Sequence, residues 1–176
     1  ELRARRPDLA AELFKPLATD HRGEPPLGGR PYFEIPVFSW HQGCLAGIYQ
    51  RQYIDSAQGY PDAPRLTPAQ VEALDLFDTL ANDPALTLTM DLEPGDLQFV
   101  HNHTMLHDRL GFEDWPEADR KRHLLRLWLA PAEAQPLPEI FAQRYSTVTP
   151  GIRGGVAAKI HTVPLDQVEH QEPSKL

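Results

Sequence analysis

One short stretch of this 176-residue chain concentrates imidazoles and guanidiniums. The run Pro94-Gly-Asp-Leu-Gln-Phe-Val-His-Asn-His-Thr-Met-Leu-His107-Asp-Arg109 places His101, His103 and His107 after an apolar segment. The run Arg122-His-Leu-Leu-Arg126-Leu-Trp-Leu129 then places two arginines around the next apolar segment. A neutral imidazole offers a metal a lone pair near neutral pH. A guanidinium fork matches a carboxylate with two parallel hydrogen bonds. These residue types at this spacing suit a metal held beside a dicarboxylate.

Plainer readings stand beside that one. A single histidine is commonly a surface or structural residue. His101, His103 and His107 together would be the ligand set of a three-histidine zinc site, although His107 reads as lying past the strand end. In a strand, Arg122, Leu124, Arg126 and Trp128 share one face. An arginine among Leu and Trp needs an anionic partner, and one of the 25 Asp and Glu residues would serve as well as a ligand.

The surrounding pattern predicts the elements that must position these groups. Leu9, Ala10, Leu13 and Phe14 have helical spacing, with Pro7 suited to a first helical position and Asp8 to a first turn. Residues 15–30 are rich in Pro and Gly and read as a loop. Tyr32 to Trp40 is aromatic and β-branched, with Pro36 marking an edge or a break. His41-Gln-Gly43 turns the chain into a second strand from Cys44 to Tyr53. Residues 55–65 read as a loop. Thr67-Pro-Ala-Gln70 is a capping box opening a helix that stops before Asn82. Leu86, Leu88, Met90 and Leu92 alternate with polar residues, which predicts a strand. A turn at Glu93 to Asp96 and strands over 97–100 and 123–129 follow. Short strands, Pro/Gly turns and one long helix predict a mainly β architecture with helical insertions. Trp40, Tyr49 and Tyr53 read as core residues before pocket residues, and Cys44 as a small buried apolar residue.

Composition narrows the function. The formal charge is −8 and no Lys/Arg stripe is present, which argues against nucleic-acid binding. The single Cys44 excludes an internal disulfide and a cysteine-based zinc motif. No apolar run is long enough for a membrane span. The expected location is the cytoplasm, with a small-molecule substrate and self-association left open.

The block from Pro94 to Leu129 resembles the iron(II)/2-oxoglutarate-dependent dioxygenases of the TauD/TfdA family. Asn102-His-Thr-Met-Leu-His107-Asp-Arg109 is similar to the family's distal-histidine motif. Gly111-Phe-Glu-Asp-Trp-Pro-Glu117 is similar to a connecting pattern of one branch. Arg122 and Arg126 match the family's arginine pair. The resemblance extends from the N-terminal helix through Gly155. It implies a double-stranded β-helix (jelly roll), present in part, over residues 1–155, followed by a polar tail over 156–176. It implies His107 as an iron ligand, Arg126 as the main partner of the 2-oxoglutarate carboxylate and Arg122 as its helper. Arg109 would meet an acidic substrate or a nearby turn carboxylate, and Asp108 would support His107 or the turn. The implied reaction is oxidation of a small organic substrate.

One part of the family pattern is missing. A proximal His-x-Asp/Glu belongs upstream of the distal histidine, and the only such triplet is His170-Gln-Glu172, downstream in the tail. The chain also opens on Glu-Leu-Arg inside what reads as a helix. The expectation is therefore the C-terminal portion of a dioxygenase, inactive by itself, with no catalytic residue assigned. The alternatives are a non-catalytic carboxylate-binding module and a truncated remnant.

Overall fold

The computed structural model describes residues 1–23 and 29–153. The expected polar tail over 156–176, with the His170-Gln-Glu172 triplet, lies outside the described residues. Two short helices open the chain, α1 (Leu2–Arg5) and α2 (Pro7–Glu12), with Pro7 in the first turn of α2 as its spacing predicts. Leu9 and Ala10 on α2 are buried, and Leu13 just past it is fully enclosed.

The segment expected to be all loop contains a strand. β1 (Pro16–Asp20) pairs antiparallel with β2 (Tyr32–Pro36), in a register from Pro16 opposite Pro36 to Asp20 opposite Tyr32. The prolines sit at the ends of the ladder, where a missing N–H does least harm. Leu17, Ala18 and Thr19 are buried, an apolar signal too short to stand out among the flanking Pro, Gly and charged residues. On β2, period-two alternation sends Phe33 and Ile35 to a cluster with Ala46, Leu137 and Phe141, while Tyr32 joins Ala18, Ala57 and Ala63. The Gln143 side chain accepts from Glu34 N and donates to Glu34 O, each at 3.1 Å. It thereby satisfies backbone groups of a strand whose only ladder partner among the described residues is β1.

The expected hairpin is present but shorter. β3 (Phe38–His41) pairs with β4 (Cys44–Gly47) through a two-residue loop. Gln42 and Gly43 have φ of 48° and 79°, so both loop residues are left-handed, as a tight twisted hairpin requires. Cys44 is only partly buried. The second strand stops at Gly47 rather than Tyr53, because the chain turns into α3 (Arg51–Ala57). Ile54 and Ala57 lie on one side of α3 and pack it against β1, and Arg51 bonds Asp55 at 3.0 Å one turn on.

α4 (Pro68–Ala81) starts where the capping box predicts. Gln70 N donates to Thr67 Oγ1 at 3.2 Å, and Thr67 N donates to Gln70 Oε1 at 2.9 Å. Ala73 and Leu74 join Leu9, Leu13, Leu17, Val37 and Ile54 in the largest apolar cluster. Arg51 ties the helices together by reaching Asp75 at 2.8 Å and Asp78 at 2.9 Å. The Tyr49 hydroxyl also donates to Asp78. Burial and that bond push the Tyr49 hydroxyl above its ordinary range.

Residues 86–92, 97–100 and 123–129 form no strand, against expectation. The turn between the first two is present, with Asp96 N bonded to Glu93 O at 3.0 Å. A strand needs a neighbour for its N–H and C=O groups, and among the described residues these segments have none. Their apolar side chains stand in solvent, with Leu88 82 %, Phe99 82 % and Leu125 88 % exposed. A short α5 (Ala142–Tyr145) closes the described chain against β2.

Two substitutions test this packing by urea denaturation. Leu74→Ala should cost about 2–5 kcal/mol, because its side chain is fully enclosed. Thr67→Ala should cost about 1 kcal/mol through loss of the cap. A Leu74→Ala midpoint equal to that of the unmodified chain would refute the assignment of this cluster as the core.

Candidate functional site

The histidine-bearing segment is a turn anchored to the hairpin. Thr104 N and Met105 N donate to His101 O at 3.0 and 3.1 Å, and Gly47 N donates to His103 O at 2.7 Å. His101 Nδ1 lies 2.8 Å from Thr104 Oγ1. The His103 ring turns inward, edge-on to Phe141 at 6.2 Å and to Tyr145 at 6.0 Å. Burial holds His103 below the ordinary imidazole range; the Arg153 charge and His101 add to this, and hydrogen bonding with the Gly47 backbone opposes it.

His107 is exposed, with Nε2 3.3 Å from Asn102 Oδ1. Asp108 accepts from Arg109 N at 2.7 Å, a turn contact. Arg122 N donates to Asp114 Oδ1 at 2.9 Å, and its guanidinium lies over the Phe112 ring at 4.9 Å. Arg126 is exposed. Among the described residues, no hydrogen bond, ion pair or ring contact joins His107 to Arg122 or Arg126. No three His, Cys, Asp or Glu side chains converge on a metal position among them. That removes the three-histidine zinc set, since His103 is committed to the aromatic cluster while His107 faces Asn102.

The aromatic residues divide. Tyr49 packs edge-on to Phe77 at 4.8 Å in the main core. Tyr53 lies beneath the Arg22 guanidinium at 4.7 Å, in an open depression lined also by Asp20, Gln52 and Ser56. Trp40 is 66 % exposed. Asp20 was not singled out from the sequence, yet it accepts from Ser56 Oγ at 2.6 Å, Arg22 N at 2.7 Å and Tyr60 Oη at 3.2 Å. Burial alone would raise its pKa, but these bonds and the neighbouring His21 hold it below the ordinary carboxylate range. His21, Arg153 and Tyr145 were likewise missed, for no local spacing marks them.

The sequence profile of the taurine catabolism dioxygenase TauD, TfdA family matches residues 1–128. The chain belongs to the TauD/TfdA family. FR-33289 synthase of Streptomyces rubellomurinus is 34 % identical over 131 residues, covering 70 % of this chain and 37 % of that protein. Uridine-5'-phosphate dioxygenase of an Amycolatopsis species is 32 % identical over 133 residues, covering 75 % of this chain and 46 % of that protein. Taurine hydroxylase-like protein SAT17 of Stachybotrys chartarum is 30 % identical over 99 residues, covering 56 % and 26 %. The chain thus spans less than half the length of each of these TauD/TfdA relatives. The match contains His107, Arg122 and Arg126. The described residues do not by themselves fit the family's iron. His107 belongs to no group of three His, Cys, Asp or Glu side chains that could hold a metal among the described residues.

No helix among the described residues is long and apolar enough to cross a membrane.

The buried imidazoles make stability depend on pH. His21 is 8 % exposed and edge-on to Phe33 at 4.9 Å. Burial lowers its pKa from 6.5, Arg144 lowers it further, and Asp20 opposes. His103 is lowered in the same direction. A group lowered in the folded state leaves the unfolded chain with more bound protons at mildly acid pH. Its stabilising contribution is therefore complete above pH 6.5 and is lost as pH falls from there through the folded-state pKa. Urea midpoints at about pH 8 and about pH 5.5 should show lower stability at the acid value, with His21→Phe reducing the difference. Equal pH dependence in the unmodified chain and His21→Phe would clear His21 of this role.

Proposed function

We propose that this chain carries the distal part of an iron(II)/2-oxoglutarate dioxygenase site and that the whole protein oxidises a small organic substrate. The family match over residues 1–128 carries the reading, because it contains the distal-histidine motif and both arginines. In this reading His107 is one iron ligand. The remaining two come from a His-x-Asp/Glu pair outside these 176 residues, so this chain alone is inactive. Arg126 binds the far carboxylate of 2-oxoglutarate bidentately and so orients its other end, with Arg122 assisting. The bound iron supplies the oxidative chemistry.

The same reading accounts for the exposed apolar faces of residues 86–92, 97–100 and 123–129. They become inner faces of a double-stranded β-helix once neighbouring strands supply their ladders. Arg122 and Arg126 then project from one face of a formed strand.

The coding sequence upstream of Glu1 provides the first test. An open frame containing His-x-Asp or His-x-Glu supports the enzyme reading. A start codon just upstream of the Glu1 codon, or an in-frame stop there, would sink it and favour a carboxylate-binding module or a truncated remnant. In the protein encoded by such a frame, Arg126→Ala should weaken 2-oxoglutarate binding by about tenfold or more in calorimetry. His107→Ala should abolish iron binding, while His103→Ala should leave it nearly intact. An unchanged 2-oxoglutarate affinity in Arg126→Ala would remove Arg126 from the site.

A further inference from the structure

Residues 86–92 carry a strand-like apolar pattern with no strand beside them. Leu86, Leu88, Met90 and Leu92 are all exposed. None of residues 87–92 forms a backbone–backbone hydrogen bond with the described chain. Monomeric proteins rarely expose so continuous an apolar run. The turn that follows is already hairpin-shaped. Asp96 N donates to Glu93 O at 3.0 Å, and Glu93 N donates to Asp96 Oδ2 at 2.8 Å. Gln98 Nε2 lies 3.6 Å from Met90 Sδ, which sets residue 98 beside residue 90. Among the described residues no strand takes up an edge of this segment.

The segment is complementary to itself. Laid antiparallel on a second copy about Thr89, Leu86 faces Leu92, Leu88 faces Met90 and Thr87 faces Asp91. Directly opposed residues share a face, so the apolar side chains of both copies line one side of the ribbon. The two Asp91 carboxylates stand four residues apart along the strand, about 14 Å. That is beyond the Debye length at physiological salt. Pro84 falls opposite Pro94, so the ladder ends at a proline on each side, where a missing N–H does least harm. Residues 123–129 are also exposed but lack this property. Laid on their own copy about Arg126, they set two guanidiniums opposite each other, and like charges so placed are destabilising.

We propose that residues 86–92 are a docking strand for a second copy of this chain, paired antiparallel about Thr89. A two-stranded ribbon alone is marginal. Residues 97–100 of each copy, with Leu97 and Phe99 exposed, flank it and widen the apolar face. The inference rests on this chain's own residues and not on the dioxygenase reading. In a longer protein, the strands that reading supplies compete with the second copy for the same edge.

The test is sedimentation equilibrium of the 176-residue chain, without iron or 2-oxoglutarate, joined to disulfide trapping in a Cys44→Ser background. At micromolar concentration the particle should weigh about twice the 19.9 kDa of one chain. Thr89→Pro removes a ladder N–H and should weaken the dimer by about tenfold or more. Thr89 belongs to none of the buried apolar clusters, so the far-UV circular dichroism of this variant should match that of the unmodified chain. Under mild oxidation Thr89→Cys should give a covalent dimer, because the Cβ atoms of opposed residues lie about 5 Å apart. Leu86→Cys should not, because the two copies of position 86 are about 20 Å apart in this register. If Thr89→Pro does not fold, the trapping pair decides. A monomer throughout overturns the proposal. So does a dimer that Thr89→Pro leaves unchanged, or trapping of Leu86→Cys as complete as that of Thr89→Cys. Because the sample holds no iron and no 2-oxoglutarate, those results leave the dioxygenase reading where it stood.

Discussion

Backbone hydrogen bonding is the constraint from which the rest of this structure follows. A strand exists only where its N–H and C=O groups meet partners. Residues 16–20 and 32–36 meet each other, and Gln143 satisfies Glu34 on top of that ladder. Residues 38–47 close on themselves through a tight turn. The more regular alternation at Leu86 to Leu92 meets no ladder partner among the described residues and forms no strand. Hydrophobic pattern specifies which face is to be buried, but pairing decides whether the strand exists.

The helices show the complementary case, since their backbone bonds are local. α4 begins at its capping box and buries Leu74 against Leu13 and Val37 whatever happens further along the chain. The α3–α4 junction adds an electrostatic tie. Arg51 serves Asp55, Asp75 and Asp78, and Tyr49 shares Asp78. Such a many-partnered guanidinium fixes relative position more than it adds stability, because most of its carboxylate partners are well exposed.

The chemistry divides along the same line. His103 sits where packing is dense, so its ring is positioned by Phe141, Tyr145 and the bond to β4. His107, Arg122 and Arg126 sit on segments without ladder partners and are not brought together. Membership of the TauD/TfdA family and the absence of a convergent metal site among the described residues are therefore compatible. The family resides in the residues and their order, whereas a metal site requires convergent side chains.

By itself the sequence determined the features that depend on near neighbours. These are the α4 capping box, Pro7 at the start of α2 and the Gln42-Gly43 turn. Each is set by residues a few positions apart, so its physics is readable along the chain. Only the tertiary structure decided that β1 forms within a Pro- and Gly-rich stretch, that the chain beyond Gly47 becomes helix, and that His103 packs edge-on to Phe141 and Tyr145. It also decided that residues 86–92, 97–100 and 123–129 find no ladder partner among the described residues. Those outcomes turn on which distant groups supply hydrogen bonds and apolar contacts, and linear spacing does not encode that supply.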